Sequence, residues 1–213
     1  MKIENYPKLT TIMRGYSYEE AMTVIKVLSK FGHQVAVEVT TNNPDYLKII
    51  HNGSEKYGSQ VDIGAGTVLT VKQAAEVIDN GAGFLLGPIA FTKEIFLLAK
   101  EHDVITVPAA MTPVDVYALI ESGADIVKIF PAITVGPTFF KQIQGPLGKL
   151  PLMAVGGINQ DNAPQFLRAG AQYVGVGSAM FNASDIHSRN ESGLKRAVQN
   201  YLNILRDSGD QNG

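Results

Sequence analysis

Short apolar runs alternate with longer segments of helical periodicity from one end of this chain to the other, which confines the fold to βα units around a parallel sheet. The runs that read as strands are Leu9–Met13, Gln34–Val39, Asp62–Ala65, Gly83–Leu86, Val104–Val107, Asp125–Phe130, Leu152–Val155 and Tyr173–Val176. Each is followed by a helix candidate, starting near Tyr18, Pro44, Val71, Thr92, Thr112, Pro137, Gln160 and Asn190. Asn43-Pro44 and Thr112-Pro113 put proline in a first helical turn, where its missing N–H costs nothing. Eight such units in 213 residues predict a single-domain (β/α)8 TIM barrel spanning 1–206. A doubly wound sheet shares the same local pattern. The polar, glycine-bearing end, 207–213, reads as a frayed tail.

Composition narrows what such a domain can do. The chain is 45% hydrophobic and 18% charged with a formal net charge of −2, so nothing draws it to nucleic acid or an anionic membrane. It has no cysteine, which excludes disulfides, cysteine nucleophiles and thiolate metal sites. The first residues carry no apolar signal region and no stretch reaches the length of a membrane span, so a cytoplasmic location is expected. The expected partner is a small soluble molecule.

Chemistry in a barrel sits at the C-terminal ends of the strands, so polar residues that interrupt or close apolar runs are the candidates. Lys128 interrupts Asp125-Ile126-Val127-Lys128-Ile129-Phe130 and shares a strand face with Ile126 and Phe130. A buried ammonium must pair or lose its proton. Bringing a lysine from ~10.4 to the roughly 7–8 of a working nucleophile takes about 4 kcal/mol, and burial beside Phe130 is a source of it. The structural counterpart is a lysine that reaches solvent or a salt bridge with its tip. Glu38, in Val35-Ala36-Val37-Glu38-Val39-Thr40, shares a face with Ala36 and Thr40; if that face is the interior, a carboxylate joins Lys128 in one mouth. Arg14 closes the first run, and Thr67 follows Gly64-Ala65-Gly66, read as room for a ligand.

The last two runs end in Val155-Gly156-Gly157 and Val174-Gly175-Val176-Gly177-Ser178. Glycines there let backbone N–H groups approach an anion, and the loops after the seventh and eighth strands are the usual phosphate site of barrels. A phosphorylated substrate is expected. The four histidines, His33, His51, His102 and His187, show no metal-ligand spacing and read as surface residues, so no metal is expected.

The ordered set Arg14-Gly15 with Glu19-Glu20-Ala21, Val37-Glu38-Val39-Thr40, Gly64-Ala65-Gly66-Thr67-Val68, Pro108 with Met111-Thr112-Pro113, Val127-Lys128-Ile129-Phe130-Pro131-Ala132, Val155-Gly156-Gly157 and Val174-Gly175-Val176-Gly177-Ser178 resembles the 2-keto-3-deoxy-6-phosphogluconate (KDPG) aldolases. Some members of that family also act on 4-hydroxy-2-oxoglutarate. The resemblance covers nearly the whole chain. It implies a class I aldolase without a cofactor, in which Lys128 forms a Schiff base and Glu38 moves protons. It further implies that Thr67 and Pro88 bound the pyruvate end, that Phe130 packs against it, and that Gly156, Gly157, Gly177 and Ser178 receive the phosphate. A homotrimer is implied too.

The chain departs from the family at several places. The Thr-Leu-Arg-Thr that follows the catalytic glutamate in many members is Thr40-Thr41-Asn42-Asn43 here, so the substrate carboxylate loses an arginine and Arg14 is expected to take its place. Pro-Thr-Gly-Gly becomes Ala154-Val155-Gly156-Gly157, Ser-Pro becomes Gly87-Pro88, and Pro-Gly becomes Pro108-Ala109. A stereoisomeric substrate such as the galactonate form is compatible with these changes. Two other readings stand beside the aldolase: a phosphosugar epimerase or isomerase on a related barrel, and a non-catalytic sugar-phosphate binder in which Lys128 merely pairs with Glu38.

Overall fold

The computed structural model describes residues 3–209. Its parallel strands are β1 (Leu9–Met13), β2 (Val35–Thr40), β3 (Asp62–Gly66), β4 (Phe84–Leu86), β5 (Ile105–Val107), β6 (Ala109–Ala110), β7 (Val127–Ile129), β8 (Leu152–Val155) and β9 (Tyr173–Val176). They form one sheet in the order β5-β4-β3-β2-β1-β9-β8-β7-β6. The two ends of that order are consecutive in the chain, so the sheet closes on itself as a barrel. The expected fifth strand, Val104–Val107, appears as β5, and a short further strand, β6, follows it beyond Pro108, which has no N–H to give a ladder. Its carbonyl still accepts from Lys128 N at 2.9 Å, between Thr106 O with Ile126 N at 3.1 Å and Ala110 O with Phe130 N at 3.2 Å. The eightfold pattern therefore survives as nine strand segments.

The helices are α1 (Tyr18–Leu28), α2 (Tyr46–Tyr57), α3 (Val71–Asp79), α4 (Lys93–Glu101), α5 (Pro113–Glu121), α6 (Ala132–Leu147), α7 (Ala163–Arg168), α8 (Ala183–His187) and α9 (Glu191–Gly209). Local chemistry sets their starts. Ser17 and Glu20 form a capping box on α1, Thr70 and Gln73 another on α3, and Thr112 caps α5 with Pro113 in its first turn. The helix expected from Pro137 begins earlier, at Ala132, and bends at Gly136 (φ 73°), so that Pro137 opens its second stretch. The one expected from Gln160 starts at Ala163, because Asn159 Oδ1 first ties down the N–H groups of Asp161 and Asn162 at 2.9 and 3.0 Å. The short α8 lay outside the expected pattern. Of the expected tail, 207–209 are the last residues of α9, with Ser208 buried, and 210–213 lie outside the described residues.

Two apolar layers follow from strand alternation. Leu9, Met13, Val37, Val39 and Ile129 face outward into the helices, whereas Ile12, Ala36, Phe84, Leu86, Ile105, Val107, Ile126, Met153 and Val155 fill the barrel. Tyr6 plugs the N-terminal end, edge-on to Phe84 at 5.3 Å and to Tyr173 at 5.6 Å between ring centroids. With that end filled, ligand access is left to the other, where the strands run out.

Candidate active site

Lys128 and Glu38 both project into the barrel interior, as their strand faces require. Ile12 pairs with Glu38 across β1 and β2, and Ala36 and Ile126, the neighbours that share faces with Glu38 and Lys128, belong to the interior cluster. Glu38 is 1% exposed and Lys128 4%. Among the described residues neither Lys128 nor Arg14 comes within 4 Å of the Glu38 carboxylate, and Glu38 Oε2 has no hydrogen-bond partner. The salt-bridge reading of Lys128 is therefore not realised. Its Nζ lies 4.8 Å from the centroid of the Phe130 ring.

Burial dominates the electrostatics of both groups. It pushes the Glu38 carboxyl above its ordinary range, against the pull of Lys128 and then Arg14. It draws the Lys128 ammonium down, opposed by Glu38 and assisted by Arg14. The pair thus tends toward a neutral amine facing a protonated or easily protonated acid, two groups primed for nucleophilic attack and proton transfer.

Gly64-Ala65-Gly66 serves the protein's own side chains. A Cβ on Gly64 would run into the Phe84 ring and one on Gly66 into the Glu38 carboxylate. The expected room for a ligand beside Thr67 is thus taken at both glycines. Thr67 itself holds a left-handed backbone, φ 60°, uncommon for a β-branched residue and a form of strain that collects at functional sites. Its carbonyl accepts from Thr41 Oγ1 at 2.8 Å.

A cavity of about 640 Å³ is lined by Arg14, Phe130, Gly156, Gly157, Gly177 and Ser178 among the sequence-derived candidates, whereas Lys128 and Glu38 are not in its lining and adjoin it through Phe130 and Ile12, on the same strand face as Lys128 and in register with Glu38 respectively. That volume suits a small phosphorylated acid. Thr67 and Pro88 stand beyond β3 and β4, outside this lining. Sequence reasoning missed Tyr16, Ile158, Asn159, Phe181 and Ile186, which also line it and which sit in loops or a short helix without periodicity. Gly156 and Gly157 adopt φ of 93° and 77°, which only glycine takes readily. Their carbonyls are committed to the protein, Gly156 O accepting from Ile133 N at 3.1 Å and Gly157 O from Asn162 Nδ2 at 2.8 Å. Gly177 O likewise accepts from Met180 N at 2.9 Å. Oxygens that would repel an anion are thereby held by donors of the protein.

The sequence pattern of the KDPG and KHG aldolase family matches residues 3–197. The chain belongs to this family. It is accordingly an aldolase, a carbon–carbon lyase. A probable 2-dehydro-3-deoxy-6-phosphogalactonate aldolase of Rhizobium meliloti (strain 1021) is 32% identical to it over 186 residues, covering 85% of this chain and 87% of that one. A 2-dehydro-3-deoxy-6-phosphogalactonate aldolase of Escherichia coli (strain K12) is 28% identical over 199 residues, covering 93% and 96%. Among solved structures, the native KDPGal structure superposes with a TM-score of 0.81 at 27% identity, covering 93% of this chain and 96% of that chain. Among the described residues no helix is long and apolar enough to cross a membrane, and no group of His, Asp or Glu side chains is arranged to hold a metal ion; all four histidines are exposed.

Proposed function

We propose that this family member is a Schiff-base aldolase that cleaves a 2-keto-3-deoxy-6-phospho sugar acid to pyruvate and glyceraldehyde 3-phosphate. The observation that carries the reading is Lys128, buried and drawn toward its neutral form, sharing the barrel interior with a Glu38 that burial holds toward its protonated form. Lys128 Nζ attacks the C2 carbonyl, and the carbinolamine takes the Glu38 proton and loses water to give a protonated imine, leaving Glu38 as carboxylate. Glu38, as carboxylate, takes the C4 hydroxyl proton while the C3–C4 electrons flow into the imine. The aldehyde leaves, the enamine is protonated at C3, and hydrolysis of the imine returns pyruvate and the lysine. The imine is the electron sink, so the chemistry calls for neither metal nor cofactor.

Arg14, the cation whose field reaches both groups, faces the substrate carboxylate, and Thr67, Pro88 and Phe130 bound the pyruvate end. Gly156, Gly157, Gly177 and Ser178 hold the phosphate. The names of the two relatives and the altered Ala154-Val155-Gly156-Gly157 favour the galactonate-type acid over the gluconate type. The shorter 4-hydroxy-2-oxoglutarate is a second substrate. An epimerase has no use for a neutral buried lysine, and a binder has none for an acid without a partner. Assembly as a homotrimer gives cover to the apolar side chains Ile89, Val114 and Tyr117, which are 56%, 77% and 53% exposed. A cytoplasmic location accords with this intermediary chemistry.

The test is borohydride reduction in the presence of pyruvate, with peptide mapping, beside an assay of pyruvate release from both phosphorylated isomers. A pyruvate-sized mass increase on the Lys128 peptide and release from one isomer are expected. Release without trapping would remove the imine, and trapping in a Lys128→Arg variant would move it to another lysine.

A further inference from the structure

We infer that Tyr16 is a further specificity-determining residue, its phenol hydroxyl donating to the phosphate end of the substrate in the cavity it shares with the glycines. The inference rests on the aldolase reading for its substrate and goes beyond it in the residue. Tyr16 lines the cavity together with Arg14, Ser178 and Ile186, yet its hydroxyl has no hydrogen-bond partner among the described residues. Unlike Thr11 Oγ1 and Glu38 Oε2, it is not sealed from solvent, so a ligand oxygen in the cavity can reach it and accept its hydrogen bond.

The loop that carries the phenol is held through its backbone and its neighbours. Tyr16 O accepts from Asn43 Nδ2 at 2.6 Å, and Asn43 is itself buried. The next residue, Ser17, is locked into the α1 capping box, its N–H donating to Glu20 Oε2 at 2.7 Å. The other Glu20 oxygen meets His187 Nδ1 at 2.7 Å, tying α1 to α8, the helix that lends Ala183 and Ile186 to the cavity. The Tyr16 loop and the loop after β9 are therefore braced as one rim.

The position along the cavity assigns the end of the substrate. Arg14 follows β1 and Tyr16 lies two residues further on, in a cavity lined also by Gly156, Gly157, Gly177 and Ser178 but by neither Lys128 nor Glu38. The carbons that react with Lys128 must lie beside it, outside this lining, so the remote phosphate lies in the cavity, near Tyr16. Burial, then the nearby Glu20 carboxylate, raises the phenol well above its ordinary value, so it remains a donor throughout the working pH range.

The experiment compares wild type with Tyr16→Phe on a phosphorylated keto-deoxy acid, on 4-hydroxy-2-oxoglutarate, and in a binding titration with inorganic phosphate. A hydrogen bond to a charged oxygen predicts that the preference in kcat/KM for the phosphorylated over the unphosphorylated substrate falls about 10- to 100-fold. Phosphate affinity should weaken in parallel, while the melting temperature stays put, because the deleted hydroxyl bonds to nothing in the protein. An unchanged preference with unchanged phosphate affinity overturns the inference, as does an equal loss on both substrates. If wild type cleaves neither acid, the proposed function fails, and the phosphate titration still decides the role of Tyr16.

Discussion

Gly66 is a glycine because Glu38 occupies the space its side chain would need: a Cβ there would overlap Glu38 Oε1. The two residues lie on adjacent strands, with Glu38 in register with Gly64 and Thr40 with Gly66. A side chain on β2 is thus positioned by an absence on β3. Gly66→Ala must push the carboxylate off its station. A loss of kcat of roughly 10²–10⁴, the worth of a positioned acid–base group, is expected. The overpacking cost to stability is about 1–3 kcal/mol. Steady-state kinetics alongside a denaturant titration separates the two, and a folded variant with near-normal kcat would show that the carboxylate relocates freely.

The buried pair of Glu38 and Lys128, the proposed catalytic groups, should cost the fold stability near neutrality. Lys128 has a lowered folded value, so the native state sheds a proton that the unfolded chain keeps, and stability falls as pH drops through the window between the two values. Glu38 has a raised one, so stability falls as pH climbs from the ordinary carboxylate range toward the raised value. The inactive double variant Glu38→Gln/Lys128→Met is therefore expected to melt higher at pH 7, by about 2–4 °C for each kcal/mol of desolvation relieved. A lower melting temperature would mean that attraction between the two groups outweighs their burial.

Glu38→Gln alone keeps the shape of the side chain and removes its proton chemistry. Cleavage should slow by roughly 10²–10⁴, and imine formation with pyruvate should slow as well. Rapid-mixing measurements of trapping and of pyruvate release report the two steps separately. Normal rates in both would transfer proton movement to a different residue.

At Gly157 an added side chain meets Ile133 Cβ at 2.7 Å in a backbone with φ 77°. Gly157→Val is expected to raise KM strongly for a phosphorylated acid while affecting 4-hydroxy-2-oxoglutarate far less. Because binding energy at a remote phosphate can be used at the reacting carbon, kcat for the longer substrate falls too. Equal losses on both, in a variant with a wild-type melting curve, would make these glycines a feature of the whole pocket.

Some of this architecture was legible from residues alone. Leu9–Met13, Leu152–Val155 and Tyr173–Val176 form strands with the bounds their apolar runs suggest. Lys128 and Glu38 stood out because a charge inside a β-branched run has few structural uses. Period-2 alternation, however, says nothing of what an adjacent strand leaves vacant, so Gly64 and Gly66 read as ligand space when they house Phe84 and Glu38. The two-residue β6 beyond Pro108 was not legible, because only its pairing with β7 makes it a strand. Tyr16 escaped because a lone aromatic in a loop has no period, and its unpartnered hydroxyl exists only in three dimensions.

The glycine wall has a consequence for how such an enzyme can be altered. It presents peptide units, and peptide units are the same whatever residue is encoded. Point mutation can block that wall but cannot retune it. On the proposed reading, a change of substrate handedness is written instead on the loop after β1, in the side chains of Arg14 and Tyr16. A library aimed at new sugar acids should leave 156–157 and 177 untouched and vary that loop.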